Sequence, residues 1–152
     1  TIFFLFGSLL FLCCFLNGYT QAIDSLDKYV EQGDLNKLEI TANSLLSINP
    51  KDHRALYYLS ISFGDLRSID ALKKTDSILN CCMVNGSVWK DRTHALRLSF
   101  MRKNEAYKQV IQEAYSFMTE LSDVRARTTV VHVLSISYRK LSQYDSALKW
   151  AM

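Results

Sequence analysis

Apolar residues recur through most of the chain at spacings of three and four, the period of a helix with one buried stripe. Leu35, Leu38, Ala42, Leu45 and Leu46 form one such stripe. Asn49-Pro50 ends it, because proline turns the preceding residue away from helical backbone. A second stripe starts at once, with Leu56, Leu59 and Phe63 in step. Read this way throughout, the chain predicts helices over 23–32, 35–48, 53–64, 68–81, 88–102, 104–121, 124–141 and 144–152. With one proline and five glycines in 152 residues, long helices are favoured over a many-turned sandwich.

Three short stretches repeat. LSISF occupies 59–63, LRLSF 96–100 and LSISY 134–138, at offsets of 37 and 38. Each falls within a predicted helix, so a similar packing surface is written once per helical pair. Aromatic residues recur with them, at Tyr29, Phe63, Phe100 and Tyr138. Leu56-x2-Leu59-Ser60-x2-Phe63 and Leu134-Ser135-x2-Tyr138 followed by Tyr144-Asp145-Ser146-Ala147 resemble the tetratricopeptide repeat. That family's pattern is W-x2-L-G-x2-Y, A-x3-F and P over 34 residues. The first copy adds Tyr29, Gly33-Asp34, Ala42 and Pro50. Two positions depart from the pattern: Leu38 stands where the family prefers alanine, and Arg97 where it prefers a small residue. The third copy is therefore degenerate or shifted, with a longer connection over Asn80–Val88.

The resemblance implies an all-α solenoid of stacked antiparallel helix pairs, about four units with the last truncated. It also implies a concave surface that binds extended or helical protein segments. The residues expected on that surface are Arg54, Tyr57, Ile61, His94, Leu98, His132, Ile136 and Arg139. His94 and His132 each stand two residues before a landmark leucine, so both are expected in one row along the groove. Some cytosolic members of the family clamp a peptide's terminal carboxylate with lysine and asparagine. The corresponding positions here are Ile23, Asp27, Tyr57 and Ile61, so that clamp is absent.

The N-terminal stretch reads differently. Ile2–Leu16 is an uncharged run of fifteen residues, apolar except for Gly7 and Ser8. That is shorter than the roughly 20 residues that span a bilayer. It suits a signal-peptide core, with Thr20-Gln21-Ala22 as an imperfect cleavage site. The expected organisation is a signal peptide at 1–22 and a repeat domain at 23–152. Export to the periplasm or exterior follows, or membrane attachment through an uncleaved anchor. Leu12 before Cys13 does not fit a lipoprotein signal. A chain opening on Thr1, with no stop signal after Tyr144–Met152, reads as part of a longer one.

Chemistry is sparse in the sequence. The net charge of +3 lacks the clustered basic footprint of a nucleic-acid binder. Cys81 and Cys82 are neighbours, too close for an easy disulfide, and no zinc-ligand spacing appears. No G-x-S-x-G turn or glycine-rich phosphate loop is present. Arg102, Lys103, Arg139 and Lys140 fall at the ends of first helices, where the helix dipole favours cations; the alternative is a basic rim that attracts an acidic peptide. The expectation is therefore a non-enzymatic scaffold that needs no cofactor and binds a protein or peptide partner. The alternative is the sensory N-terminal region of a larger membrane signalling protein, a histidine kinase or transcription regulator.

Overall fold

The computed structural model describes residues 19–64, 69–82 and 87–151. The expected leader over 1–18 and the side chains of Cys81 and Cys82 lie outside the described residues. The described residues form eight α-helices: α1 (19–32), α2 (Leu35–Ile48), α3 (His53–Ser62), α4 (Ile69–Cys82), α5 (Val88–Lys103), α6 (Tyr107–Met118), α7 (Val124–Lys140) and α8 (Tyr144–Ala151). None of these helices is long and apolar enough to cross a membrane. The fold is all-α, built by contacts between helices close in sequence. The chain divides into two compact units at Ser62/Phe63.

In the first unit, α2 packs along α3. Leu38, Ala42, Leu45 and Leu56 of the predicted stripes are buried, together with Leu26, Ala55 and Tyr58, while Leu35, Leu46 and Leu59 are half-buried. Proline and asparagine close α2 as the sequence requires, with Asn49 leaving helical backbone at φ −131° and ψ 94°. The Asp52 carboxylate caps α3 by accepting from the Ala55 amide at 3.0 Å.

In the second unit, α4 packs on α5, while α5, α6 and α7 pack against one another and α8 lies against α7. A single apolar cluster joins them, with Leu98, Met101, Val110, Val130, Val133 and Leu134 at its centre. Phe100 is fully buried as well. Caps match the sequence again: Ser87 accepts from the Trp89 amide at 3.3 Å, and Asp123 from the Ala126 amide at 2.8 Å.

The even-numbered helices begin at Leu35, Ile69, Tyr107 and Tyr144, that is, at intervals of 34, 38 and 37 residues. Three of the turns leading into them share one geometry. Gly33, Glu105 and Ser142 all adopt left-handed backbone, with φ of 68°, 64° and 60°. In each, the amide after that residue donates back to a carbonyl five positions earlier, from Asp34 to Tyr29, Ala106 to Met101 and Gln143 to Tyr138. Glu105 is also why α6 starts at Tyr107, later than the expected residue 104. The repeated hairpin is thus a structural fact, and its step from α5–α6 to α7–α8 is 37 residues at the turn.

Candidate functional site

That step of 37 has a consequence for the predicted groove. LRLSF and LSISY match at 38, one residue out of step with the turns that follow them. One residue on a helix is a rotation of about 100°. His94 therefore corresponds to Val131, and His132 to Ala95, so the two histidines face different surroundings. His94 is half-buried, its ring 4.3 Å from that of Phe117 on α6. Burial, with Lys90 and Arg97 nearby, lowers its pKa to about 4, so the imidazole is neutral near pH 7. His132 is exposed on α7, and its counterpart Ala95 is buried in the cluster that α7 helps to form.

The remaining expected groove residues are distributed as follows. Leu98 is 2% exposed and belongs to the core. Ile136 is half-buried and Arg139 exposed, both on α7. Arg54, Tyr57 and Ile61 lie on α3, in the first unit. There the Arg54 guanidinium pairs with Asp27 at 3.0 Å and sits 5.8 Å from the Tyr58 ring centre. Tyr57 meets Tyr58 edge-on, with ring centres 5.2 Å apart. The structure thus brings His94 and Leu98 together on α5, and His132, Ile136 and Arg139 together on α7.

Polar clamps between first helices were not legible in the sequence. In the first unit, Tyr58 donates to Asp27 of α1, and Tyr19 donates to the α3 cap Asp52. Burial and the Asp27 carboxylate push the Tyr58 phenol up to about 12. In the second unit, one oxygen of the buried Asp91 carboxylate accepts from the Ser122 amide and hydroxyl, both at 2.9 Å, and the Asp123 amide at 3.1 Å. Beside it, Arg92 grips Asp123 with two hydrogen bonds of 3.1 and 3.3 Å and lies 4.7 Å from the Trp89 ring centre. Burial opposes ionisation of Asp123, but Arg92 and the Ala126 amide outweigh it and hold its pKa low. A first helix therefore holds the start of the next first helix, in both units, through a charged or phenolic side chain. The one available signal was the recurrence of aspartate just before α3 and α7.

Arg97 is the second feature. It stands where the repeat pattern wants a small residue, and it binds both Asp76 of α4 and Glu113 of α6. Burial alone would lower its pKa, yet the two carboxylates raise it, so the guanidinium stays charged. A cavity of about 400 Å³ lies beside it, between α5 and α6, with His94, Phe117, Glu113, Glu120 and Lys90 in its wall. A third cluster joins α6, α7 and α8: the Tyr115 hydroxyl accepts from Tyr138 at 3.1 Å and from the Trp150 indole at 3.3 Å. Burial and Tyr115 raise the Tyr138 phenol to about 12. Among the described residues, no three histidine, cysteine, aspartate or glutamate side chains are placed to hold a metal ion.

Compared with known proteins, the chain matches no family model, no curated protein and no solved structure.

Proposed function

We propose that this chain is a protein-interaction module of tetratricopeptide-like hairpins, holding a partner segment against its first helices. The observation that supports this is the repetition of one turn, with the same hydrogen bonds, at a step of 37 residues in two hairpins whose first helices pack side by side. Stacked hairpins of this kind expose a ridged face made by successive first helices, and such faces take extended or helical segments. Recognition is a function the architecture itself provides, although the argument from fold to role is one of association.

In the second unit the half-buried Leu96 of α5 and Ile136 of α7 are apolar side chains still partly open to a partner. In the first, Tyr57 and Ile61 have the same half-buried character on α3. Cofactors play no part in this reading. Localisation outside the cytoplasm, expected from the apolar stretch at 2–16, belongs to the same proposal.

The test replaces Tyr57, Ile61 and Ile136 by glutamate, one unit at a time. Native partners are captured from exported and cytosolic fractions separately, identified, purified and titrated against each variant. A loss of affinity of about tenfold or more in a variant that keeps its circular dichroism spectrum supports the reading, since anchor residues dominate interface energies. Undiminished affinity in every folded variant removes these helices from the interface.

A further inference from the structure

The edge of the second unit at the ends of α5 and α7 carries cations that the fold does not use. Asp91 near the start of α5 touches Ser122 and Asp123 at the start of α7, so the two helices begin side by side. Their far ends adjoin as well: Leu141, after α7, lines one shallow cleft of about 390 Å³ with Glu105, Ala106, Tyr107, Lys108 and Gln109, after α5. Lys103, Arg139 and Lys140 are therefore on one edge with Lys108, and all four are exposed.

Elsewhere in the unit three cations have carboxylate partners, while the exposed Lys73, Arg125 and Lys149 are scattered and form no ion pair among the described residues. Lys74 pairs with Asp70, Arg92 with Asp123, and Arg97 with Asp76 and Glu113. None of the four edge cations is drawn into an ion pair among the described residues. Two exposed carboxylates share the edge, Glu105 in the first turn and Asp145 at the start of α8, so cations outnumber them. The helix dipole accounts for a basic residue at each helix end. It does not account for Lys108, which lies in the first turn of α6, nor for a cleft walled by Tyr107 and Leu141 between the two turns.

We propose that this edge binds an acidic, extended segment of a partner protein. Packed helices lie about 8–10 Å apart, and an extended chain of polyproline II type has three residues per turn, so that every third side chain shares a face, and rises about 3.1 Å per residue. Carboxylates three residues apart thus reach from Lys103 to Lys140, and an apolar side chain between them enters the cleft beside Tyr107 and Leu141. The inference builds on the recognition role proposed above and names the class of segment recognised.

The experiment titrates the whole chain with a fluorescein-labelled peptide carrying glutamate at every third position and leucine between. The same peptide with glutamine is the control. The expected result is binding that weakens with salt and drops about tenfold or more for the glutamine peptide, since steering by complementary charge is screened. Lys103→Glu with Lys140→Glu lowers affinity by about tenfold or more, and the neutral pair Lys103→Gln with Lys140→Gln by less. The neutral pair keeps the test open if charge reversal disturbs folding. The two lysine pairs are also titrated with the native partner captured through the first-helix face, so failure of the edge and failure of that face are told apart. Three results overturn the proposal: equal affinity for both peptides, undiminished binding by both folded lysine pairs, or cosedimentation with phosphatidylglycerol vesicles without affinity for the peptide.

Discussion

The α5–α6 and α7–α8 hairpins share a turn, a set of hydrogen bonds and a step of 37 residues, yet they solve one packing problem in opposite ways. Where α5 carries Arg97, tied to Asp76 and Glu113, α7 carries Leu134, which is fully buried. Glu113 on α6 corresponds to Trp150 on α8, half-buried against the same apolar cluster. The turn fixes the backbone, and the backbone fixes which positions meet. It leaves open whether they meet as charges or as hydrocarbon. The ionic version works because it sits near solvent, with Arg97 at 20% exposure and its partners at 35% and 42%. The desolvation penalty that burdens deep ion pairs is therefore partial.

The widest separation of the two hairpins comes from exchanging their side chains. Leu134→Arg places an unpaired charge in a site with no exposure and costs about 4 kcal/mol or more. Arg97→Leu leaves two carboxylates that solvent still reaches and costs about 1–2 kcal/mol. Urea unfolding followed by circular dichroism measures both, and equal losses would dissolve the distinction drawn here.

Next in size is the clamp between first helices. Asp91→Ala removes the acceptor for two amides and a hydroxyl at the start of α7, a loss of about 2 kcal/mol. Hydrogen exchange at the Ser122 and Asp123 amides should accelerate in this variant. Exchange that stays slow would assign the order of that segment to other contacts.

A pH-dependent effect separates the hairpins as well. His94 on α5 is held at about 4 against an ordinary 6.5, mainly by burial, and its counterpart Val131 does not titrate. Between those values the unfolded chain binds a proton that the folded chain does not, so stability falls as pH drops from about 6.5 to about 4. Above pH 6.5 the group contributes no slope. His94→Phe should flatten that part of the stability profile, and an unchanged slope would place its origin elsewhere.

The smallest effect tests what the hairpins share. Glu105 and Ser142 hold left-handed backbone where the first unit has Gly33. Relief of that strain is partly offset by the greater freedom of glycine in the unfolded chain. Glu105→Gly and Ser142→Gly should each raise stability by about 0.5–1 kcal/mol. Melting temperatures of the two single variants should move upward together if the turns are equivalent.

Much of the fold could be read from the chain. The apolar stripes placed α2 at Leu35–Ile48 as expected, and the caps at Asp34, Ser87 and Asp123 precede their helices as such residues should. The first unit showed its turn openly, since glycine at 33 suits left-handed backbone. The turns at Glu105 and Ser142 were hidden, because neither residue prefers that conformation. The candidate surface was less legible. His94 and Leu98 read as groove residues because LRLSF was laid over LSISY, a match of residue types that the backbone does not honour.

Local physics explains the division. Helix periods, caps and the proline stop depend on neighbours within a few positions, and the sequence alone determined that this protein is a succession of paired helices. Register between pairs is set by turn geometry and by which side chains interlock across a distance of tens of residues. Only the tertiary structure therefore decided that His94 lies on Phe117, that Arg97 joins three helices, and that four unpaired cations share one edge.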